Sequence, residues 1–468
     1  MIIEQIYTGC LAEASYYIES EGEAVIIDPL REAKPYLEKL NRNGAKLKYI
    51  FETHFHADFV SGHLDLSKEA NAPIVFGPDA NPDFEVMQLN DGDELQVGKL
   101  KFKLIHTPGH TLESSCYLLF DENNKEKAIF TGDTLFIGDV GRPDLAIDNG
   151  LTKKDLAKMM FHSLREKIMV LPDDITIYPA HGAGSACGKK MSDETFDSLG
   201  NQKANNYALR ADMTEDDFVS EVLDGIAPPP EYFALNAMLN KQGYSSIEDV
   251  VDRGTKALDV EEFEAIASQE DVLIIDTRHQ QIFNKSFIPS SLFFGLKGSF
   301  APWVASVLKD IKQKIVFVCD EGKEKEVVVR LARVGFDHVL GFLKGGIDAW
   351  VSSGRNTDQI LSIPTEEFRL KMDASKLKVL DVRKPSEFGS ATLELAINQP
   401  LDYVDQNISD LDKSKQYYVF CRSGYRSMVY ASMMKKLGFK SPIDVIGGFN
   451  AIAETPGFKI LETACKAN

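Results

Sequence analysis

Cysteine is scarce in this chain. There are six in 468 residues, and no two are spaced as a bridge or a zinc knuckle would space them. The start, Met1-Ile2-Ile3-Glu4-Gln5, lacks a basic stretch followed by an apolar one, so no secretory leader and a cytoplasmic location are expected. The thiols are then expected to be reduced, with one or two of them reactive. Positive charge is also short: 52 Lys and Arg stand against 71 Asp and Glu, a net charge of −19. That balance excludes a nucleic-acid or anionic-membrane partner, both of which need a basic footprint, and leaves room for small anionic substrates. No long uncharged apolar run is present, so no membrane span is expected. What remains is ordinary for a soluble globular protein, with 44% hydrophobic and 26% charged residues. The length exceeds what one core organises and suggests about three domains.

Residues 1 to about 150 alternate short apolar runs with Gly, Asp and Asn: Ala14–Ile18, Ala24–Ile27, Tyr49–Phe51, Leu100–Ile105, Cys116–Phe120 and Ala128–Phe130. These read as strands with helices between some of them. Residues 151–170 read as helix, Ile175–Tyr178 as strand, and 192–250 as a polar helical region broken by Pro228-Pro229-Pro230. The rest is an internal repeat. Val272-Leu273-Ile274-Ile275-Asp276-Thr277-Arg278 matches Val379-Leu380-Asp381-Val382-Arg383, and Gly335-Phe336 matches Gly438-Phe439. Cys319 and Cys421, and Gly345 and Gly447, are separated by the same 102 residues (421 − 319 and 447 − 345). Each copy alternates strand and helix signals, so two small tandem α/β domains with mainly parallel sheets are expected.

The first domain carries candidate metal ligands. Thr53-His54-Phe55-His56-Ala57-Asp58-Phe59 follows an apolar run. Thr107-Pro108-Gly109-His110-Thr111, Thr131-Gly132-Asp133-Thr134 and Tyr178-Pro179-Ala180-His181-Gly182 follow others. Imidazoles and carboxylates gathered at strand ends are what a d-block metal site needs. A solvated polar turn would explain an isolated His-x-His, but not four such segments. Phe59 stands where a further ligand could have been.

Thr-His-x-His-x-Asp, Pro-Gly-His-Thr, Thr-Gly-Asp-Thr and Pro-Ala-His-Gly, in this order over roughly residues 1–250, resemble the metallo-β-lactamase superfamily. The resemblance implies an αββα sandwich with metal between the sheet edges. Hydrolase members such as glyoxalase II hold two metals and use a His directly after the motif's Asp, where this chain has Phe59. A phenyl ring cannot coordinate, so the departure favours one metal held by His54, His110 and Asp133. Two imidazoles and a carboxylate form the facial triad of non-haem Fe(II) oxygen chemistry. Within the superfamily this points to persulfide dioxygenases, with one Fe(II) per chain in preference to zinc. His56, Asp58 and His181 then orient ligands or substrate. Arg142, in Gly138-Asp139-Val140-Gly141-Arg142-Pro143-Asp144, is a candidate for gripping a thiol carrier or orienting the site, and equally a structural Arg paired with Asp139 or Asp144. Cys187 lies six residues after His181 and is either a relay thiol or a small loop residue. His63 reads as a buttress, and Cys10, Cys116 and Cys465 lack a reactive context.

Cys421-Arg422-Ser423-Gly424-Tyr425-Arg426-Ser427 follows an apolar strand and precedes a helical run. A helix N-terminus, with Arg422 and Arg426, should favour the Cys421 thiolate and cradle an anion. Strand, Cys, short Gly-containing loop, helix and Gly-Gly resemble the rhodanese (sulfurtransferase) domain over about 360–468, with Asp381 and Arg383 as scaffold residues. A Cys-x5-Arg phosphatase would need Arg where Ser427 stands. Leu395 occupies a position where Gly is common. The first copy, 257–354, reads Cys319-Asp320-Glu321-Gly322-Lys323-Glu324, with acids in place of both arginines. Nearby carboxylates disfavour a thiolate, so this copy reads as an inactive spacer or assembly surface.

The whole order resembles persulfide dioxygenase–rhodanese fusions. The implied activity is oxidation of a low-molecular-weight thiol persulfide with O2 to sulfite, coupled to sulfane-sulfur transfer through Cys421 to give thiosulfate, in sulfide detoxification. The carrier thiol (glutathione, coenzyme A, bacillithiol or another) stays open, and a homo-oligomer is expected. Two rival readings remain. One is a glyoxalase-II-like thioester hydrolase with appended rhodaneses. The other is a persulfide carrier or sensor with a vestigial metal site.

Overall fold

The structure is a computed structural model that describes residues 1–145, 150–374 and 377–462; Cys465 lies outside them. The chain divides into two compact units, Met1–Asp249 with Leu331–Gly335, and Val250–Arg330 with Phe336–Asn468. Among the described residues, no helix is long and apolar enough to cross a membrane.

Two six-stranded sheets build the first unit. One runs Ile2–Thr8, Glu13–Ser20, Glu23–Ile27, Lys46–Phe51, Ile74–Phe76, Met87–Gln88. The other runs Asp197–Ser198, Thr176–Pro179, Glu126–Gly132, Ser115–Phe120, Leu100–His106, Glu94–Val97. Strand side chains alternate between faces, and the sequence uses both. Val25 and Ile27 meet Phe102, Tyr117, Leu119 and Phe130 in a core drawn from both sheets. Ala24 and Ile26 point the other way, to Tyr36, Leu40 and Leu66 on helices Lys34–Asn43 and His63–Ala70. Cys116, Leu118 and Ile129 pack on Met160, Phe218 and Val222 from helices Lys153–His162 and Glu215–Leu223. These layers make the αββα sandwich expected above.

Two glycines let the motif segments approach one another closely. A Cβ on Gly132, which has a φ of +51°, would lie 2.5 Å from Thr53 Oγ1. A Cβ on Gly141 would lie 2.0 Å from the Asp133 carbonyl oxygen and 2.9 Å from His110 Nδ1. Any side chain at either position would push a segment that carries candidate ligands away.

The second unit holds two five-stranded sheets of the same order. They are Ala257–Leu258, Val339–Leu343, Lys314–Val318, Val272–Asp276, Leu292–Phe293, and Leu361–Ile363, Ser441–Val445, Gln416–Phe420, Val379–Asp381, Ala396–Asn398. Every neighbouring pair in both is parallel. The Asp-x-Arg repeat has a structural cause. Arg278 Nε and Nη2 donate to Asp276 at 2.9 and 2.6 Å, Arg383 repeats both distances on Asp381, and each Arg also caps a carbonyl, of Ser286 or Ala391.

Leu395 takes a φ of +72° with its side chain 71% exposed, so a residue that buries little adopts a left-handed backbone at a cost. Leu395→Gly should therefore stabilise this unit by about 1 kcal/mol, read as a higher urea or thermal midpoint of the full chain.

Candidate metal centre and reactive cysteine loop

Each ligand candidate of the first unit sits just past a strand. His54 follows Lys46–Phe51, Asp133 follows Glu126–Gly132, His181 follows Thr176–Pro179, and His110 ends the turn after Leu100–His106. His54, His110 and Asp133 are buried, and one ligand atom from each lies within 4.8 Å of the others. The His110 Nε2–Asp133 Oδ2 distance is 3.3 Å and the His54 Nε2–Asp133 Oδ2 distance is 3.9 Å.

The ring orientations are set from behind. Thr53 Oγ1 gives its proton to Asp28 Oδ2 at 2.9 Å, so the contact at 2.9 Å between His54 Nδ1 and Thr53 Oγ1 has the imidazole as donor. His110 Nδ1 donates to the Arg142 carbonyl at 2.9 Å. Both rings thus present the Nε2 lone pair inward, the tautomer a metal ligand needs. Burial, then the neighbouring His56, His110 and His181, hold His54 well below the usual imidazole range, and burial lowers His110 against the pull of Asp133. His110 Nε2 and both Asp133 oxygens are buried and have no hydrogen-bond partner among the described residues. Orphaned donor-set atoms that converge in a buried site fit a d-block cation.

A second buried trio, His56, Asp58 and His181, also converges within 4.8 Å. Its electrostatics differ. Burial opposes charge on both partners, yet Asp58 and Asp133 raise His181 well above the usual range, and His181 lowers Asp58. Their Nε2–Oδ2 distance is 3.4 Å, an ion pair. Phe59, fully buried, packs on His56 with ring centroids 4.3 Å apart and meets His181 edge-on at 6.5 Å. His56 Nε2 instead faces Asp28 at 3.2 Å and Glu52 at 3.5 Å.

Arg142 is committed. Its guanidinium donates to Asp144 at 2.6 and 2.9 Å, to the Ala186 carbonyl at 3.1 Å and to the Ala227 carbonyl at 2.6 Å. The gripping role considered for it above does not suit a side chain so engaged; its backbone carbonyl orients His110. Cys187 is brought to the site, with Sγ grouped with Asp133 and His181. Burial, then the Asp58 and Asp133 carboxylates, push its thiol up to about 12. His63 buttresses from below: its Nδ1 lies 3.2 Å from Glu52 Oε1, and burial lowers it to about 3.

In the second unit Cys421 follows Gln416–Phe420 and is buried, and the Gly424 N–H donates to its Sγ at 3.1 Å. Gly424 is the N-cap of the helix Tyr425–Lys436, with φ of +103°. The Gly-Gly pair closes over the loop: Phe449 and Asn450 N–H groups donate to the Cys421 and Arg422 carbonyls at 2.6 and 3.1 Å, and a Cβ on Gly448 would lie 2.3 Å from the Cys421 carbonyl oxygen. The two arginines do not serve alike. Arg426 is bidentate to Glu387 at 2.6 and 2.8 Å, so its charge is largely spent. Arg422 is exposed, and its guanidinium has no ion-pair partner among the described residues. In the first copy, burial and then Glu324, Asp320 and Asp276 push the Cys319 thiol up to about 12.

Ser427 donates to Asp444 Oδ1 at 2.6 Å and Ser362 to Oδ2 at 3.2 Å, yet burial raises this carboxyl to about 6. A folded-state value above the unfolded one gives stability that is full below about pH 4 and lost as pH rises through about 6. Asp444→Asn should remove that loss. Its unfolding midpoint relative to wild type should rise between pH 4 and 7, by up to about 3 kcal/mol of stability.

Some contributors escape a sequence reading. Asn240, buried on the helix Tyr232–Gln242, donates to the His56 and Phe59 carbonyls at 2.7 and 2.8 Å and accepts the Ser61 N–H at 2.8 Å. Asp28 could have been found, since it follows an apolar strand as Asp133 does. Nothing local marks Asn240 or Glu387.

The metallo-beta-lactamase superfamily profile matches residues 8–181, and the rhodanese-like domain profile matches 259–353 and 364–455. The hydroxyacylglutathione hydrolase of Tolumonas auensis is 34% identical over 170 residues, 36% of this chain and 60% of that protein. The mitochondrial persulfide dioxygenase ETHE1 of Homo sapiens is 34% identical over 163 residues, 34% of this chain and 59% of that protein. The chain therefore spans about 60% of the length of these curated relatives. A crystal structure of a metallo-beta-lactamase from Staphylococcus aureus subsp. aureus COL superposes with a TM-score of 0.64 at 29% identity, covering 73% of this chain and 98% of that one. By its first unit this chain belongs to the metallo-β-lactamase superfamily, and that domain is followed by two rhodanese-like domains.

Proposed function

We propose that the chain oxidises a low-molecular-weight thiol persulfide with O2 and transfers sulfane sulfur through Cys421. The first step consumes persulfide, O2 and one water, and yields thiol, sulfite and protons. In the second, the Cys421 thiolate takes the outer sulfur of another persulfide molecule, whose S–S bond breaks and whose thiol leaves, and then passes that sulfur to sulfite; the Cys421 S–S bond breaks, a new one forms in thiosulfate, and the Cys421 thiolate is restored.

Phe59 carries the reading. It fills, dry and uncharged, the space beside His56 where a further ligand would complete a second metal site. One Fe(II) held by His54, His110 and Asp133 would supply the open-shell chemistry that O2 requires and zinc lacks. The chain's part is to fix both imidazoles through Thr53 and the Arg142 carbonyl and to keep the site dry. The His181–Asp58 pair places an imidazole and a carboxylate beside Asp133. The human persulfide dioxygenase among the relatives supports this reading.

A second reading, thioester hydrolysis, is favoured by the convergence of His56, Asp58 and His181 and by the hydroxyacylglutathione hydrolase relative. Protein purified without oxygen decides between them. One iron per chain with O2 consumption on glutathione, coenzyme A or bacillithiol persulfide supports the oxidation. Two tightly bound zinc ions with glutathione-thioester hydrolysis and no O2 uptake would overturn it.

A further inference from the structure

The first rhodanese-like copy keeps a packed core although its Cys319 loop is acidic. We propose that this copy is a positioning element for the Cys421 loop, acting through Tyr425. The inference rests on Cys421 being the sulfur carrier.

Tyr425 opens the helix whose N-cap N–H touches the Cys421 sulfur. Its hydroxyl donates to the Gly295 carbonyl of the first copy at 2.9 Å, and its ring meets Phe293 edge-on with centroids 5.5 Å apart. Two turns later, on the same helix face, buried Ser432 accepts the Phe293 N–H at 3.0 Å. The next loop residue is engaged as well, since the Arg426 guanidinium lies 5.8 Å from the Trp303 ring centroid.

The supporting segment is itself fastened. Arg330, 8% exposed, donates to the Leu296 carbonyl and, at 2.6 Å, to the Gly298 carbonyl, and lies 5.5 Å from the Phe300 ring centroid. The ion pair Lys309–Asp405 at 2.6 Å also joins the two copies, and Lys435 pairs at 2.8 Å with Asp358 on the segment between them.

A ring alone would satisfy packing, and a hydroxyl buried there costs stability unless it is bonded. The Tyr425 bond fixes the rotation of the first helical turn, and with it the aim of the Gly424 N–H at the sulfur. Gly424 has a backbone freedom that gives the loop little stiffness of its own.

The test uses the full-length, metal-loaded protein, with thiosulfate as sulfur donor and cyanide as acceptor. Tyr425→Phe keeps the ring and removes the bond. Its kcat should fall roughly 10-fold while KM for thiosulfate stays within about twofold, because Arg422 is untouched. O2 uptake and the unfolding midpoint should not move. Trp303→Ala should act in the same direction and Trp303→Phe should restore turnover. Wild-type kcat in Tyr425→Phe, or a loss that merely tracks a lowered unfolding midpoint, would overturn the inference. Cys421→Ser separates the two claims. If it still turns over, the sulfur-carrier reading has failed; if it is dead while Tyr425→Phe is fully active, only the positioning role has failed.

Discussion

His110→Ala protein should lose bound metal and O2 uptake together. His110 supplies an Nε2 that has no hydrogen-bond partner among the described residues, and the ring is locked by its Nδ1–H to the Arg142 carbonyl. Alanine leaves His54 and Asp133, 3.9 Å apart, as the two remaining members of the trio, and two ligands do not hold a divalent ion against buffer chelation. His56→Ala should behave differently. His56 faces Asp28 and Glu52 and stacks on Phe59, so its loss should leave most of the metal and lower turnover by about 10- to 100-fold, as a supporting group would. Metal content by plasma emission and an oxygen electrode, run on the same preparations, decide. Equal metal loss in the two variants would mean that His56 is itself a ligand and that the second trio takes part in binding.

The candidate ligands were legible because His54, Asp133 and His181 stand just past apolar strands and His110 ends the turn after one, with Gly or Pro beside the last three, a pattern that survives without coordinates. The repeat was legible for the same reason, since Cys319 and Cys421 directly follow equivalent strands. Failures arose where the partner is distant or the element short. Arg426 looked free because Glu387 is 39 residues away, and Asn240 reaches His56 across 184. Arg142 offered Asp144 as a local partner, but the Ala186 and Ala227 carbonyls that complete its shell carry no sequence signature. Ile74–Phe76 and Met87–Gln88 went unread, because strands of three and two residues show no periodicity.

Cys421→Ser should keep O2 uptake near wild type while the product changes from thiosulfate to sulfite. The argument is one of separate inventories. The candidate metal ligands and the groups that orient them lie in Met1–Asp249, whereas the Cys421 sulfur, the Gly424 N–H and the exposed Arg422 lie in the second unit. Serine keeps the size and the hydrogen bond from Gly424 but is a far weaker nucleophile, so no persulfide forms there for sulfite to attack. Cys319→Ser should change neither output, because burial and the carboxylates of Glu324, Asp320 and Asp276 hold that thiol protonated at neutral pH. Arg422→Ala should raise KM for sulfite more than Arg426→Ala does, since only Arg422 has an uncommitted charge, while Arg426 is already neutralised by Glu387. Sulfite and thiosulfate are separated by ion chromatography beside the oxygen trace. A wild-type thiosulfate ratio from Cys421→Ser would remove the relay and leave the second rhodanese-like domain with some other sulfur acceptor. A fall in Cys319→Ser as deep as in Cys421→Ser would place sulfur on the acidic loop, against the charges that surround it.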